Sequence, residues 1–295
     1  MSTSVLYDAP GPRSKRRILI GSIIAGLALI GVVWLVAAKL DKQGQFEKEK
    51  WSPLVDPSDD SFNPVWKLIW EALQNTLQAA VLAMLFSLII GTLLAVSRIT
   101  AARWYRWGVV GLIELLRGVP VVIAIFFAAR VLPEAGVDLS TMWFLVIGLT
   151  AYNSVIIAEI VRAGVNSLPR GQGEAAESLG LRRWQVLSNV LLPQAFRVML
   201  PALISQLVVV LKDTSLGFII SYQELVRTAG IIIQNLRNPI QTYLLVAVMF
   251  ILINYALSRL AIYVERRLSR SKKTLHVEAE AEAAAVTAGA GVGAA

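Results

Sequence analysis

Three groups of polar side chains stand out from an otherwise apolar chain. Lys212, Asp213, Thr214 and Ser215 follow directly on the uncharged stretch 198–211. An ionisable group inside an apolar span is costly, so it faces a partner, a cavity or the interface. Counted from a helix start near Phe196, Lys212 stands about 24 Å up the span at roughly 1.5 Å per residue. Asp213 points elsewhere on a helix, so the two neighbours do not form a same-face pair. The hydroxyls that follow, together with Gly217, suit a locally broken helix beside an aqueous route. Lys212 therefore either lines such a route with Thr214 and Ser215 or pairs with an acid on a neighbouring helix or subunit. Glu114 with Arg117, and Glu159 with Arg162, are each three residues apart, which puts each pair on one helical face. Near the ends of apolar runs these read as structural pairs with snorkelling stems. The third group is the polar segment 164–193.

Several chemistries are excluded at once. The chain has no cysteine, which removes disulfides, thiolate-bound metal and thiol catalysis. Its single histidine, His276, leaves no pair for a metal site or a Ser/His dyad. No G-x-x-x-x-G-K-[ST] occurs, so the chain carries no phosphate cradle of its own.

The elements that must position these groups are membrane spans. Of 295 residues, 56% are hydrophobic and only 16% charged, with a mean hydropathy of +0.63. Uncharged runs at 18–38, 72–97, 139–158 and 238–258 each approach or exceed the roughly 20 residues a spanning helix needs. Two further spans are interrupted: 118–129 extends backward through Arg117 and Glu114, and 198–211 extends forward through Lys212 and Asp213. The count is six. Eighteen interfacial Lys and Arg fall on the side of the N-terminus and eight on the other. Basic residues are retained in the cytoplasm, so both termini are expected there. The net charge of +8 is then a topology signal and not a nucleic-acid footprint.

Residues 1–17 read as a basic cytoplasmic N-terminus and 18–38 as an uncleaved helix, too long for the roughly 7–15 apolar residues of a signal peptide. Between it and the next span, 39–66 mixes charge with Pro53, Pro57 and Pro64 and reads as an extended extracytoplasmic linker. Residues 67–268 hold the other five spans. The Glu, Ala and Gly of 269–295 cannot bury a core, and disorder is expected.

Segment 164–193 is informative because it is not apolar. Residues 172–179 read as a short helix with both ends specified: Gly171 as N-cap, Glu174 at the third helical position and Gly180 as the left-handed stop. Ala175 and Ala176 keep it slim. A second amphipathic stretch, 181–192, is expected to stop at Pro193. On physics alone this could be an ordinary capped surface helix.

The spacing carries a resemblance. Glu174-Ala175-Ala176, three residues, Gly180, nine residues, Val190, one residue, then Leu192-Pro193 resembles the signature loop of bacterial ABC-importer permeases, with Val190 where isoleucine is usual. Glu114-Leu115-Leu116-Arg117-Gly118-Val119-Pro120, Ala158-Glu159-Ile160-Val161-Arg162 with Gly164, and Leu211-Lys212-Asp213-Thr214-Ser215-Leu216 resemble segments of the polar amino acid branch. Val119 and Asp213 replace the customary threonine and asparagine. The match covers about 71–267, and the extra first span resembles the longer permease subunit, type D, of glutamate uptake systems.

The resemblance implies an all-α polytopic membrane protein with the type I ABC-importer permease fold, five core transmembrane helices plus one N-terminal helix. It implies a bacterial cytoplasmic-membrane subunit that is not itself an enzyme and moves a polar amino acid, glutamate above others. Implied partners are an ABC ATPase dimer that uses ATP and Mg, a second homologous permease subunit, an extracytoplasmic amino-acid-binding protein and membrane lipid. This chain is expected to bind no cofactor or metal. Pro169, Gly171, Gln172, Glu174, Ala175, Ala176, Gly180, Leu192 and Pro193 would form the ATPase-coupling element. Arg117, Lys212, Asp213, Thr214 and Ser215 would serve the substrate path. A secondary transporter would want an internal repeat, and a channel a pore loop or a ring of like charges; neither stands out.

Overall fold

The computed structural model describes residues 11–100 and 103–290; residues 1–10, 101–102 and 291–295 of the expected termini and second loop lie outside it, as do the side chains of Arg103, Trp104, Arg106 and 268–290. The described residues are helical, with no strand. The order is α1 (Pro12–Lys42), α2 (Lys48–Val55), α3 (Phe62–Thr100), α4 (Arg103–Gly118), α5 (Val121–Glu134), α6 (Thr141–Asn166), α7 (Arg170–Ser178) and α8 (Arg183–Gln185). A π-helical segment, Val186–Leu191, then leads into α9 (Leu192–Asp213), a 3₁₀ segment (Thr214–Ile220), α10 (Leu225–Leu236) and α11 (Pro239–Ala290). Among the described residues, five helices are long and apolar enough to cross a membrane, or six when α4 and α5 are taken as one broken span.

Helices in lipid gain no hydrophobic driving force from meeting one another, so small residues that let backbones approach decide the packing. Helix α3 buries Ala79, Ala80, Ala83, Ser87, Gly91 and Ala95 along one stripe. A Cβ at Gly91 would lie 2.6 Å from the Ser154 carbonyl oxygen of α6, so the two helices touch backbone to backbone there. Gly148 of α6 does the same for α5, where a Cβ would come within 2.5 Å of the Ile125 Cα. Around these contacts Ile125, Leu145, Leu149, Val210 and Leu211 close the central core. Nearer one end, Ile157, Val161, Met199 and Leu203 pack with Ala95; at the other, Leu54, Ile69, Leu225, Ile232 and Val246 join α2, α3, α10 and α11.

Four expectations change. The span expected at 118–129 is not one straight helix, because α4 and α5 meet at 99°. Pro120 lacks an amide hydrogen and biases Val119 away from helical geometry, so the chain turns there. Residues 39–66 are not simply extended: α2 lies inside them, with Pro53 and Leu54 buried. Pro193 does not stop a helix, since helical structure is continuous over Arg183–Ile220. The missing proline N–H instead falls within the first turn of α9, where no intrahelical partner is required, after a π segment that loosens the ladder. Helix α11 continues to Ala290, where composition alone suggested disorder; alternating Glu and Ala is also a strong helix former.

Replacing Gly148 by leucine is expected to destabilise the bundle by several kcal/mol, since the obstructing atoms are backbone. Gly26→Leu on α1, where nothing lies within 4 Å, is the matched control. Thermal melting of the detergent-solubilised variants checks both, and equal melting would refute the packing account.

Candidate coupling loop and solute route

Helix α7 projects between α6 and α8. Its N-cap is Pro169, with φ −57° and ψ 132°, and Gln172 N–H donates to the Pro169 carbonyl at 3.1 Å. Gly171 is therefore the second helical residue and not the cap. Glu174 moves from the third position to the fifth, and no acid occupies the first turn. The physical reason is that Pro169 arrives with φ already suited to an extended cap, so the helix starts two residues earlier.

The other end follows the spacing. Gly180 has φ +81°. Its N–H donates to the Glu177 carbonyl at 2.9 Å, and Leu181 N–H donates to the Ala176 carbonyl at 3.3 Å. That double bond pattern is a Schellman stop, which satisfies the last free carbonyls. Ala176 is buried against the bundle, whereas Arg170, Glu174, Ala175 and Glu177 are exposed and Leu179 is 83% exposed. The Gln194 side-chain amide joins α7 to α9, donating to Gln172 Oε1 at 3.3 Å and to the Val190 carbonyl at 2.9 Å. Leu192 packs inward beside Leu187 and Ala195, while Pro193 stays exposed.

The expected break after Lys212 is present as a tightening of α9 into the 3₁₀ segment, which ends at Ser221 with φ 60°. Gly217 is buried there, and a Cβ would lie 2.9 Å from Leu145 Cδ2. Lys212 is exposed, and among the described residues no carboxylate stands within ion-pairing distance of it. Asp213 is half-buried beside it. Ser215 is part-exposed and donates its hydroxyl to the Lys212 carbonyl at 2.7 Å. Thr214 departs from the expectation: it is fully buried, and its hydroxyl is spent on the Leu211 carbonyl at 2.6 Å. Its hydroxyl is thus turned into the bundle and not toward Lys212 and Ser215. Arg117 sits on α4 ahead of the bend, 4.0 Å from Glu114, with both side chains more than half exposed; nothing described joins it to the Lys212 segment.

Residues 87–270 match the family model of the binding-protein-dependent transport system inner membrane component. That match covers more than half of the chain. The chain belongs to this family. It is 39% identical, over 80% of its own length and 86% of the relative's, to the glutamate transport system permease protein GluD of Corynebacterium glutamicum. It is 34% identical to the probable glutamine ABC transporter permease protein GlnP of Bacillus subtilis, over 68% of this chain and 93% of that one. Among solved structures, an amino acid ABC transporter crystallised with histidines superposes with a TM-score of 0.64 at 28% identity, covering 70% of this chain and 97% of that chain. The fold is thus the type I ABC-importer permease fold, and the protein is an amino acid ABC-transporter permease, a multi-pass membrane protein.

In this permease three polar contacts go beyond what spacing foretold. Glu159 does pair with Arg162, at 2.8 Å, but its other oxygen is held by Arg98 at the end of α3. In the sequence Arg98 is only one of the eighteen basic residues counted for topology, because its partner is 61 residues away. Between α6 and α9, Gln206 Nε2 donates to Asn153 Oδ1 at 2.8 Å in the buried interior; two lone amides within uncharged runs were the signal. Glu224 is fully buried at the start of α10, and its carboxylate accepts Val226 N–H at 2.8 Å and Arg227 N–H at 2.7 Å. The adjoining turn is pinned to α3, with Tyr222 Oη donating to the Asn75 carbonyl at 3.0 Å and Leu225 N–H to Thr76 Oγ1 at 3.2 Å.

Burial pushes the Glu224 carboxyl up to about 7, against the opposing pull of its two backbone donors. A carboxyl that binds its proton more tightly when folded contributes stability that is complete below its unfolded value and lost as pH rises through about 7. The melting temperature is therefore expected to fall between pH 5 and pH 8 in the native chain, and to fall less in Glu224→Gln. Equal slopes would exclude this carboxyl as the source.

Proposed function

We propose that this permease carries a polar amino acid, glutamate above others, inward across the bacterial cytoplasmic membrane while a separate ABC ATPase dimer hydrolyses ATP. The observation that carries the reading is α7: a Schellman-stopped helix with one buried face, one exposed face and a solvent-facing Leu179. In this reading both termini are cytoplasmic and α7 docks in a groove of the ATPase. Pro169, Gly171, Gln172, Glu174, Ala175 and Ala176 form the docking helix, Gly180 holds its end, and Leu192 and Pro193 join it to α9. ATP and Mg are held by the ATPase, since this chain has no phosphate cradle.

Closure of the ATPase dimer would displace α7, and two joints would pass the motion on. One is the short link 167–169 into α6. The other is the Gln172–Gln194 contact into α9, backed by the π segment. Rocking of these helices shifts the population between inward- and outward-facing states by differential binding. On the solute side, Lys212, with Ser215 and Asp213 beside it, would meet the anionic carboxylates of the substrate, whereas Thr214 supports the segment from behind. Arg117 remains a candidate for the entry to the route. An extracytoplasmic amino-acid-binding protein and a second homologous permease complete the assembly. Glutamate is supported by the 39% identity to a glutamate permease; the glutamine permease at 34% makes glutamine the competing substrate.

A pull-down of the tagged chain from its native membrane, with mass identification and an ATPase assay, tests the reading. An ATPase and a second permease should be recovered. Gly180→Val forces a β-branched residue to positive φ at a cost of about 1–3 kcal/mol, and Leu179→Arg alters the exposed face; both should lower ATPase retention several-fold. Recovery of the chain alone in several mild detergents would return a secondary transporter or channel to the front. In proteoliposomes, Lys212→Met should reduce glutamate uptake at least tenfold with ATPase retained, and unchanged uptake would remove Lys212 from the route.

A further inference from the structure

Ser87 of α3 and Thr150 of α6 are buried in mid-span, and neither hydroxyl has a hydrogen-bond partner among the described residues. Other helical hydroxyls of this chain behave differently. Thr76, Thr100 and Ser205 each return the hydroxyl to the carbonyl four residues earlier, at 2.8, 2.8 and 3.0 Å. Ser154 returns its own to Ala151 at 3.2 Å. A hydroxyl in a helix is ordinarily satisfied in this way by its own backbone. Those of Ser87 and Thr150 are not, and they do not bond to each other.

The packing register puts the two at one level. Helices α3 and α6 run in the same direction, since Gly91 meets Ser154 and Ile157 and, further along both, Arg98 meets Glu159. Ser87 and Thr150 stand four residues before Gly91 and Ser154, so one turn back along both helices brings them to the same depth on facing sides. A further turn back, Ala83 and Val146 share one buried cluster. The seam thus closes backbone to backbone at Gly91 and, one turn away, sets two unpaired hydroxyls against each other. An unsatisfied buried hydroxyl costs free energy, and lipid cannot relieve it. Ala83, Val146, Gly91 and Ser154 around the pair carry no charge, so an ion would go uncompensated there. Ala83, Ser87 and Gly91 are also small, which keeps the α3 side of the seam thin at this level. One water suits such a place: it accepts from one hydroxyl, donates to the other, and has an O–H left for a helical carbonyl, whose second lone pair the ladder does not use. We infer that a single buried water bridges Ser87 Oγ and Thr150 Oγ1 and joins α3 to α6 as a structural ligand. Asn153, where α6 meets α9, is satisfied directly by Gln206, so the water belongs to the α3 side alone. The inference is independent of substrate and of ATPase coupling.

Thermal melting of the full chain, purified in its native complex and placed in nanodiscs, supplies the test. Ser87→Ala and Thr150→Val each delete one hydroxyl without adding bulk and leave the other stranded, so each should lower the melting temperature. The double variant should melt no lower than the worse single one, because the second substitution removes a group already stranded. Thr150→Ser keeps a hydroxyl and should melt close to the native chain. Ser205→Ala, whose hydroxyl is bonded within α9, should combine additively with Ser87→Ala. A cryo-electron density map of the native complex that resolves ordered waters should show a peak between the two oxygens, absent from Thr150→Val or, should that variant not assemble, from Ser87→Ala. Two hydroxyls without a water give the opposite result: each single variant would melt above the native chain, since an unsatisfied group has gone. That outcome, purely additive losses, or a map with other buried waters and none at this level would each overturn the inference.

Discussion

Contact between α3 and α6 at Gly91 is the constraint on which the remaining architecture rests. Within a bilayer the only gain from bringing two helices together is close packing and the polar bonds it permits, and both fall away if the axes separate by one methyl group. With Gly91 against the Ser154 carbonyl, α6 is set in depth and rotation relative to α3. Arg98 can then reach Glu159, Gly148 can meet α5, and the far side of α6 is left facing α9. A bulkier residue at Gly91 would shift each of these contacts together, which is why small residues run the length of the α3 stripe.

From α6 the geometry passes to the loop that carries α7. Arg98 and Arg162 hold Glu159 two turns before α6 ends, so the chain leaves the membrane from a fixed point. Pro169 starts α7 almost at once, and Gly180 ends it with the Ala175, Ala176 and Glu177 carbonyls bonded. The return is less stiff. The π segment places a looser turn immediately before Leu192 and Pro193, so α9 has a compliant joint at its base while α6 has an ionic one. The loop is thus braced unequally by the two helices that carry it.

Much of this was legible from residue order, for identifiable reasons. Long uncharged runs have one physical solution in lipid, and the spans follow from them. Gly180 was readable because a left-handed residue after a short polar helix leaves few alternatives. The helix start was not, since Gly171 and Pro169 are both acceptable caps and the choice depends on where α6 releases the chain. Thr214 looked polar in sequence but faces inward, because a hydroxyl can be satisfied by its own helix and then costs little to bury. Arg98 was counted for its charge and not for its partner, as an ion pair between distant helices leaves no local pattern. The fold within 39–66 was hidden by charges that sit on the outer face of α2 while Pro53 and Leu54 are buried beneath.

The amide pair between Asn153 and Gln206 has a kinematic consequence. It lies deep in the α6–α9 seam, and a single such bond is intolerant of sliding: a shift of one residue along either axis, about 1.5 Å, would part donor from acceptor in surroundings that offer no water. Rotation about the bond leaves it nearly unstrained. The bond therefore resists translation along the seam more than rotation about it, so a relative motion of the two helices that preserved it would pivot at this depth.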